Sequence, residues 1–272
     1  MAEFVRVGGH RAGMAATTRT DTWWVAPVLI LLGLSAFVVY ATWSALQGTH
    51  YWAGPYLSPF YSPVLFTDLS AAGAAPESHA WFGTWPSWWP DFLPASPAIL
   101  ILIFPGLFRF TCYYYRKAYY RAFAWTPPAC AVEGLPRKNY KGETGLLVIQ
   151  NLHRYALYPA LFYILILYYD AFSALFHQGQ FGIGVGTVVL FVNASLLAGY
   201  TFGCHAFRHL VGGRKDCFSC SRARYGAWRR VSRLNRNHML WAWMSLFWVA
   251  FSDFYVRMVS MGYITDLNTW GA

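Results

Sequence analysis

Three cysteines and two histidines lie within twenty residues of the chain, in the stretch TFGCHAFRHLVGGRKDCFSC at 201–220. Thiolates and imidazoles are the usual protein ligands of zinc and of iron–sulfur centres. His205 and His209 are four residues apart, so on a helix they project from one face. That spacing allows both imidazoles to bind one metal ion or two adjacent ions, which makes this stretch a candidate metal centre.

Further histidines and cysteines fall at the same predicted level of the molecule. His153 and His238 each open a predicted helix, Cys112 lies about two turns before the basic end of another, and Cys130 follows in TPPACAV. Ionisable groups are costly in a membrane helix and commonly mark a function, so this group predicts a redox or metal site. Together with His205, His209 and the cysteines of 201–220, these residues place up to four histidines and several cysteines at one level of the bundle.

The kind of metal centre stays open from the residue types alone. Two histidines with the CFSC cysteines could form a structural zinc site. Two histidines with two cysteines are the ligand set of a Rieske-type [2Fe–2S] centre, and histidines on facing helices could hold a haem. Two enzyme classes are excluded: HAFRH lacks the glutamate of the HExxH metalloprotease motif, and four histidines are too few for a di-iron desaturase.

Five apolar segments are long enough to hold these residues in a membrane. The chain of 272 residues is 57% hydrophobic and 12% charged, which is too apolar for an ordinary soluble domain. A helix needs about 20 residues to cross the bilayer core. The sequence therefore predicts an all-α integral membrane protein, a five-helix transmembrane bundle with helices at 23–47, 97–121, 151–175, 183–209 and 238–262.

Basic residues alternate between the predicted loops. The 48–96 segment has no lysine or arginine, whereas 213–236 carries eight basic residues against one acidic residue. The positive-inside rule then predicts the N-terminus inside and the C-terminus outside. The predicted organisation is a cytoplasmic N-terminal tail at 1–22, a membrane domain at 23–262 with a long outer loop at 48–96 and basic inner loops at 122–150 and 210–237, and an outer tail at 263–272.

The net charge of +10 and the positions of the cysteines add two expectations. Topology accounts for most of the charge, and the remainder indicates an acidic partner surface at the inner face, formed by anionic lipid head groups or a peripheral protein. No nucleic-acid partner is expected. The outer loop has no cysteine, so the five cysteines are predicted to be reduced thiols or metal ligands rather than structural disulfides.

Several runs together resemble one protein family. The segments SPFYSP, FTCYYYRKAYYRAF, TPPACAV, QNLHRY and CHAFRHLVGG are similar to the membrane-anchor subunit (SdhC type) of actinobacterial succinate dehydrogenases, from about residue 50 to 262. The resemblance implies a multi-pass subunit of the bacterial plasma membrane that docks soluble flavoprotein and iron–sulfur subunits on the cytoplasmic face. It implies a respiratory-chain enzyme that passes electrons from succinate to menaquinone, in which this chain is not catalytic alone. Membrane lipid and a small accessory membrane subunit are further expected partners.

The resemblance also bears on the cofactor. Many anchors of this five-helix class hold two haems between histidines on four helices, but the first two predicted helices here contain no histidine. Relatives of this branch are associated with a Rieske-type [2Fe–2S] cluster in the membrane, so the resemblance implies a cluster with two cysteines and two histidines. The expected thiolates are Cys112 and Cys130, and the imidazoles come from His153, His205, His209 and His238. A haem b cytochrome anchor and a non-redox structural protein with an inner-face zinc site are the alternatives.

The three other cysteines are less favoured as ligands of this cluster, and Cys204 is the weaker candidate among the thiolates. Cys217 and Cys220 are not part of the family's core motif, which makes them loop thiols or an accessory site. Cys204 is one residue from His205, so on a continuous helix it points about 100° away from that histidine.

Quinone reduction requires hydrogen-bond donors beside an electron donor. Tyr115, Arg116 and Tyr119 follow Cys112 by three, four and seven residues, so on one helix they share its face. With Trp241, one turn after His238, they are the predicted quinone-binding residues. The alternative interpretation is that such aromatic and basic side chains are interfacial anchors.

Overall fold

The computed structural model describes residues 13–135, 144–213, 216–217 and 219–270, with side chains omitted at 144–147. Within these residues the chain is mainly helical, with two short antiparallel hairpins, Trp52–Ala53 with Tyr56–Leu57 (β1, β2) and Phe176–His177 with Gln180–Phe181 (β3, β4). The α-helices in chain order are α1 Val25–Gln47, α2 Pro97–Ile101, α3 Ile103–Phe110, α4 Tyr113–Ala118, α5 Thr144–Asn151, α6 His153–Ser173, α7 Val185–Phe202, α8 His205–Gly212, α9 Arg222–Arg236 and α10 His238–Ser260.

Four helical stretches in the described part of the chain are long and apolar enough to cross a membrane. They are Val25–Gln47, Val148–Ser173, Val185–Phe202 and His238–Ser260. The α1 helix exposes Leu29, Leu32, Val38 and Val39, as expected for a helix in contact with lipid tails. These four stretches agree with four of the five predicted membrane helices.

The prediction of one continuous helix at 97–121 is wrong, because this segment folds as three short helices and a π-helical turn at Tyr119–Phe123. Pro105 has no N–H, so it cannot satisfy the carbonyl of Ile101 one turn earlier. The Tyr163 hydroxyl donates to that carbonyl instead, over 3.1 Å. A second break follows at Cys112, whose backbone is extended (φ −64°, ψ 130°) at the start of α4.

The predicted helix at 183–209 is also interrupted. The α7 helix ends at Phe202, and α8 begins at His205. Gly203 lies so close to the carbonyl oxygens of Gly199 and Leu234 that a Cβ atom would stand 2.6 and 3.2 Å from them. The Asn235 side chain donates to the Gly203 carbonyl over 2.8 Å, which satisfies a backbone group left free by the end of the helix.

The segments predicted as inner loops contain helices of their own. The α5 helix begins within 122–150 and ends at Asn151, and α9 lies within 210–237 and carries six arginines. We call this side of the bundle, where α4, α7, α8 and α9 end and α6 and α10 begin, the basic end. The opposite side, covered by residues 48–96, is called the loop end.

At the loop end, residues 48–96 fold back onto the helices as a packed cap. Tyr51, Tyr56 and Tyr61 are at most 2% exposed, and the rings of Tyr51 and Tyr61 stack with centroids 4.3 Å apart. The peptide bonds before Pro55 and Pro63 are cis. These tyrosines are part of the protein interior, whereas Trp88 and Phe92 in the same loop are largely exposed.

The half of the core next to the basic end contains both buried cysteines. Cys112 and Cys204 belong to one hydrophobic cluster with Phe108, Tyr115 and Tyr200. Small side chains in the same cluster allow α4, α6 and α10 to approach closely. They are Ala118, Ala156, Ala160 and Ala242. The two breaks described above thus bring cysteines from distant parts of the chain into one buried region.

Candidate metal centre

Two cysteines lie buried at helix breaks near the basic end. Cys112 is 2% exposed and Cys204 is 1% exposed. Each has an extended backbone and directly precedes a short helix, α4 for Cys112 and α8 for Cys204. Burial raises the pKa of the Cys204 thiol to about 12, and the nearby Cys112 sulfur raises it further. Without a ligand that replaces its proton, Cys204 is therefore a neutral thiol.

Each buried cysteine contacts one histidine. The Nε2 atom of His153 lies 2.9 Å from the Cys204 sulfur, and the Nε2 atom of His238 lies 3.6 Å from the Cys112 sulfur. These four residues come from four places in the chain: the start of α4, the start of α6, the residue before α8 and the start of α10. The structure thus forms two Cys–His pairs.

The hydrogen bond of Thr111 fixes the tautomer of His153. The Thr111 hydroxyl donates to the Leu107 carbonyl over 2.7 Å and lies 3.0 Å from Nδ1 of His153. Because its single hydrogen is used, the Thr111 oxygen accepts from Nδ1–H. Nε2 then presents its lone pair to the Cys204 sulfur, which is the form of imidazole that binds a metal.

Two aromatic rings hold the imidazole planes. Phe108 stacks on His153 with centroids 4.5 Å apart, and Tyr200 stacks on His238 at 5.0 Å; both interplanar angles are 12°. Phe108 and Tyr200 meet edge to face at 5.6 Å. Within the described ranges, no three His, Cys, Asp or Glu side chains converge closely enough to hold a single metal ion. The four residues therefore form two ordered Cys–His pairs rather than one site on which all four side chains converge.

Three of the predicted ligands lie outside these pairs. Cys130 is exposed, and its backbone carbonyl accepts from Arg19 over 2.8 Å. His205 and His209 both lie on the exposed side of α8, and the His205 ring meets the edge of Tyr113 at 5.4 Å. The structure places three of the predicted ligands, Cys112, His153 and His238, in these two pairs, and the fourth member is Cys204. Sequence reasoning missed Cys204 because it assumed a continuous helix through residue 204.

The CFSC pair does not match its prediction. Cys217 and Cys220 form a disulfide, whereas reduced thiols or metal ligands were expected at this end of the bundle. Two cysteines separated by two residues can reach each other within a single turn of chain. Among the described residues, neither sulfur contacts the buried Cys–His pairs; the Cys217 sulfur lies 3.2 Å from the Ser219 hydroxyl.

The four predicted quinone-binding residues do not share one surface. Tyr115 is 1% exposed, and its hydroxyl donates to the Ala242 carbonyl over 2.8 Å. Tyr119 stacks against Tyr115 at 6.4 Å, while Arg116 donates to the Gln150 side chain over 2.5 Å. The ring of Trp241 packs on Gly199, and its buried N–H has no hydrogen-bond partner among the described residues.

Sequence reasoning also missed Arg109, which lies inside the bundle. Its guanidinium donates to the Tyr115 hydroxyl over 2.9 Å, to the Ala242 carbonyl over 3.2 Å and to the Ser245 hydroxyl over 2.8 Å. It also lies over the Tyr200 ring, 4.6 Å from the centroid. The signal that could have found it is an arginine inside the apolar run that precedes Cys112.

Arg109 lines a mostly apolar cavity of about 180 Å³ beside the Cys–His pairs. Phe108 and Tyr200, the rings that stack on the two histidines, also form part of its wall. The buried Tyr200 hydroxyl interacts with the Cys112 side chain. The cavity therefore offers the guanidinium of Arg109 to a ligand that is otherwise apolar.

Comparison with known proteins gives one family and one related structure. Residues 25–262 match the family model described as actinobacterial succinate dehydrogenase subunit SdhC. The chain is similar to a chain of the Mycobacterium smegmatis Sdh1 complex in the apo form, with 45% sequence identity, a TM-score of 0.83 and 94% of each chain covered. No curated protein matches the chain.

Proposed function

The chain belongs to the family of the actinobacterial succinate dehydrogenase subunit SdhC, and on that premise we propose that it carries electrons through a [2Fe–2S] centre to menaquinone. As a member of this family it is a membrane-anchor subunit of a succinate dehydrogenase and is not catalytic by itself. In the proposed assembly, flavoprotein and iron–sulfur subunits dock at the basic end, which faces the cytoplasm of the bacterial cell. The arginines of α9 at that end support this orientation in the plasma membrane.

The observation that carries this proposal is the pair of buried Cys–His contacts. A Rieske-type [2Fe–2S] cluster would be held by two cysteines on one iron and two histidines on the other. The two contacts bring a donor set of that composition into one buried region. The proposed ligands are Cys112, Cys204, His153 and His238, with Cys204 in place of the expected Cys130. When bound, the cluster supplies one-electron transfer at a potential above that of an all-cysteine cluster.

The two alternative cofactors fit the same residues less well. A structural zinc ion requires four donors around one point, and the described residues include no group of even three. A bis-histidine haem requires the Nε2 atom of each histidine to face iron, whereas Nε2 faces a cysteine sulfur in both pairs. The donor set therefore supports a two-iron cluster.

The residues around the ligands hold them in place and keep water out. Thr111 orients His153, and the rings of Phe108 and Tyr200 fix the imidazole planes. Such supporting contacts commonly set the tautomer and orientation of metal-binding histidines. Cys112, Cys204 and His153 are at most 2% exposed, which separates the site from solvent.

We place the quinone ring in the cavity lined by Arg109 and Tyr200. The Arg109 guanidinium is a donor for a quinone carbonyl, and the apolar wall suits the ring and tail. Tyr115 serves this site indirectly, because its hydroxyl holds Arg109. The cavity shares Phe108 and Tyr200 with the Cys–His pairs, which keeps the electron path short.

The purified complex is the material for testing this function. With succinate as donor, it is expected to reduce a water-soluble menaquinone analogue, and a preparation from which this chain has been removed is expected to reduce only a soluble dye. Quinone reduction at the same rate without this chain would contradict the proposed role.

An Arg109→Gln variant tests the position of the quinone. We expect its KM for the menaquinone analogue to rise at least about tenfold, because a hydrogen bond from a charged donor contributes roughly 1.5–3 kcal/mol. The matched control is Arg116→Gln, since that guanidinium donates to Gln150 away from the cavity. An unchanged KM for Arg109→Gln together with a raised KM for Arg116→Gln would instead favour the face first predicted from the sequence. The EPR signal of the cluster should be unchanged in both variants.

A further inference from the structure

A groove at the basic end is separate from the Cys–His pairs and from the cavity lined by Arg109. It combines basic side chains with an apolar wall. It lies between the start of α6, the exposed side of α8 and the first turn of α9, with a volume of about 430 Å³. Arg154, His209 and Arg224 line it, and no acidic residue is among its lining residues. His209, predicted as a metal ligand, is placed in this groove.

Among the residues that the structure describes, no carboxylate neutralises the charges of the two arginines. Arg224 donates from Nε to the Val211 carbonyl over 2.6 Å and from Nη2 to the Gly213 carbonyl over 3.2 Å, which fixes its guanidinium at the end of α8. The Arg154 guanidinium lies over the Tyr155 ring, 5.1 Å from the centroid. Neither arginine forms an ion pair within the residues that the structure describes.

The other wall of the groove is apolar and faces outward from the bundle. Tyr155, Tyr158 and Leu210 are 59%, 57% and 44% exposed. Tyr155 and Tyr158 lie in the first two turns of α6, a membrane-crossing stretch, so this wall lies where a helix enters the bilayer. Aromatic side chains are favoured at this depth, with basic side chains beside them toward the water.

We propose that this groove binds one anionic phospholipid, with its phosphate at Arg154 and Arg224 and an acyl chain against Tyr155, Tyr158 and Leu210. Arginine is suited to the phosphate because its planar guanidinium donates two parallel hydrogen bonds to phosphate oxygens. A free phosphate ion would use only the basic half of the groove. The combination of an unneutralised basic wall with an exposed apolar wall at the interface is the arrangement expected for a lipid.

The test uses the intact complex, stripped of lipid in detergent and examined by native mass spectrometry. The probes are dioleoylphosphatidylglycerol, the neutral dioleoylphosphatidylcholine and inorganic phosphate. Wild type is expected to retain one phosphatidylglycerol more tightly than phosphatidylcholine, and Arg154→Gln is expected to weaken that binding about tenfold through the loss of a charged hydrogen-bond donor. Arg154 is exposed, so the variant is expected to fold.

The control is Arg230→Gln, which removes the same charge from an exposed position of α9 outside the groove. It is expected to bind phosphatidylglycerol as wild type does. Equal binding by Arg154→Gln and wild type would overturn the proposal, and so would an equal loss in Arg230→Gln, which would indicate general surface attraction. Displacement of the lipid by inorganic phosphate at comparable concentration would identify a free-phosphate site instead.

Discussion

Replacing Cys204 by serine is expected to stop succinate-driven quinone reduction in the intact complex, lowering the rate by more than about 100-fold. The Cys204 sulfur lies 2.9 Å from Nε2 of His153 and is 1% exposed, so no neighbouring solvent can replace it as a ligand. A serine hydroxyl keeps its proton at neutral pH and is a hard donor, whereas iron–sulfur clusters favour thiolates. The measurement is menaquinone-analogue reduction with succinate, with reduction of a soluble dye as a check on the catalytic subunits.

The matched control for this variant is Cys130→Ser, which makes the same chemical change at the cysteine first expected from the sequence. Cys130 is exposed, and the contact made by this residue runs through its backbone carbonyl to Arg19. We expect full quinone reduction in this variant. Activity retained in Cys204→Ser and lost in Cys130→Ser would show that the ligand set proposed here is wrong.

Replacing Arg257 by methionine is expected to destabilise the loop end of the bundle by about 3–5 kcal/mol, because it leaves a buried carboxylate without its cation. Asp253 is 0% exposed and Arg257 is 1% exposed, with Nε of Arg257 3.7 Å from Oδ2 of Asp253. The carboxylate also accepts hydrogen bonds from the hydroxyls of Tyr40, Ser44 and Ser58. These hydrogen bonds stabilise the charge only in part once the guanidinium is gone.

Arg257 also joins the cap to the helices, since it donates to the Thr49 carbonyl and to the Ser44 hydroxyl, each over 2.9 Å. Thermal unfolding of the purified complex measures the effect, with Arg230→Met as the surface control. Adding Asp253→Asn to Arg257→Met should restore part of the lost stability, because it removes the unpaired charge. An Arg257→Met variant that unfolds at the wild-type temperature would contradict this account of the buried pair.

The sequence directs attention to cysteines and histidines at one end of the bundle, but it does not show which of them lie against each other. Cys112, His153 and His238 were identified because thiols and imidazoles collect at one end of apolar helices. Cys204 was set aside by a helical-wheel argument, which holds only if the helix continues through residue 204. The break there depends on Asn235, which donates to the Gly203 carbonyl from 32 residues away.

The local sequence is equally insufficient to predict how the break near Pro105 is stabilised and whether His205 and His209 on α8 are exposed. Pro105 is a local signal for a break, but the hydroxyl that satisfies the freed Ile101 carbonyl comes from Tyr163 on another helix. His205 and His209 lie on one helix, as their spacing predicted. Spacing shows which residues share a face, and only the tertiary packing shows that this face is exposed.

The sequence contains a signal for Arg109 that the prediction of the site did not use. It is an arginine within a predicted membrane segment, and such residues commonly face the interior and serve a function. Its partners at Ala242 and Ser245 are more than 130 residues away in the sequence, so its exact position required the fold. The quinone-binding face predicted from residues 115–119 was therefore close to the proposed cavity but did not include its central donor.

The most direct test of the proposed electron path is pulsed EPR on the dithionite-reduced intact complex, designed to detect nitrogen nuclei bound to a paramagnetic iron centre. The account predicts a reduced [2Fe–2S] signal with strong coupling to two imidazole nitrogens, and the loss of that signal in His238→Ala. Iron–sulfur signals that all lack such nitrogen coupling would contradict the assignment of a cluster to Cys112, Cys204, His153 and His238.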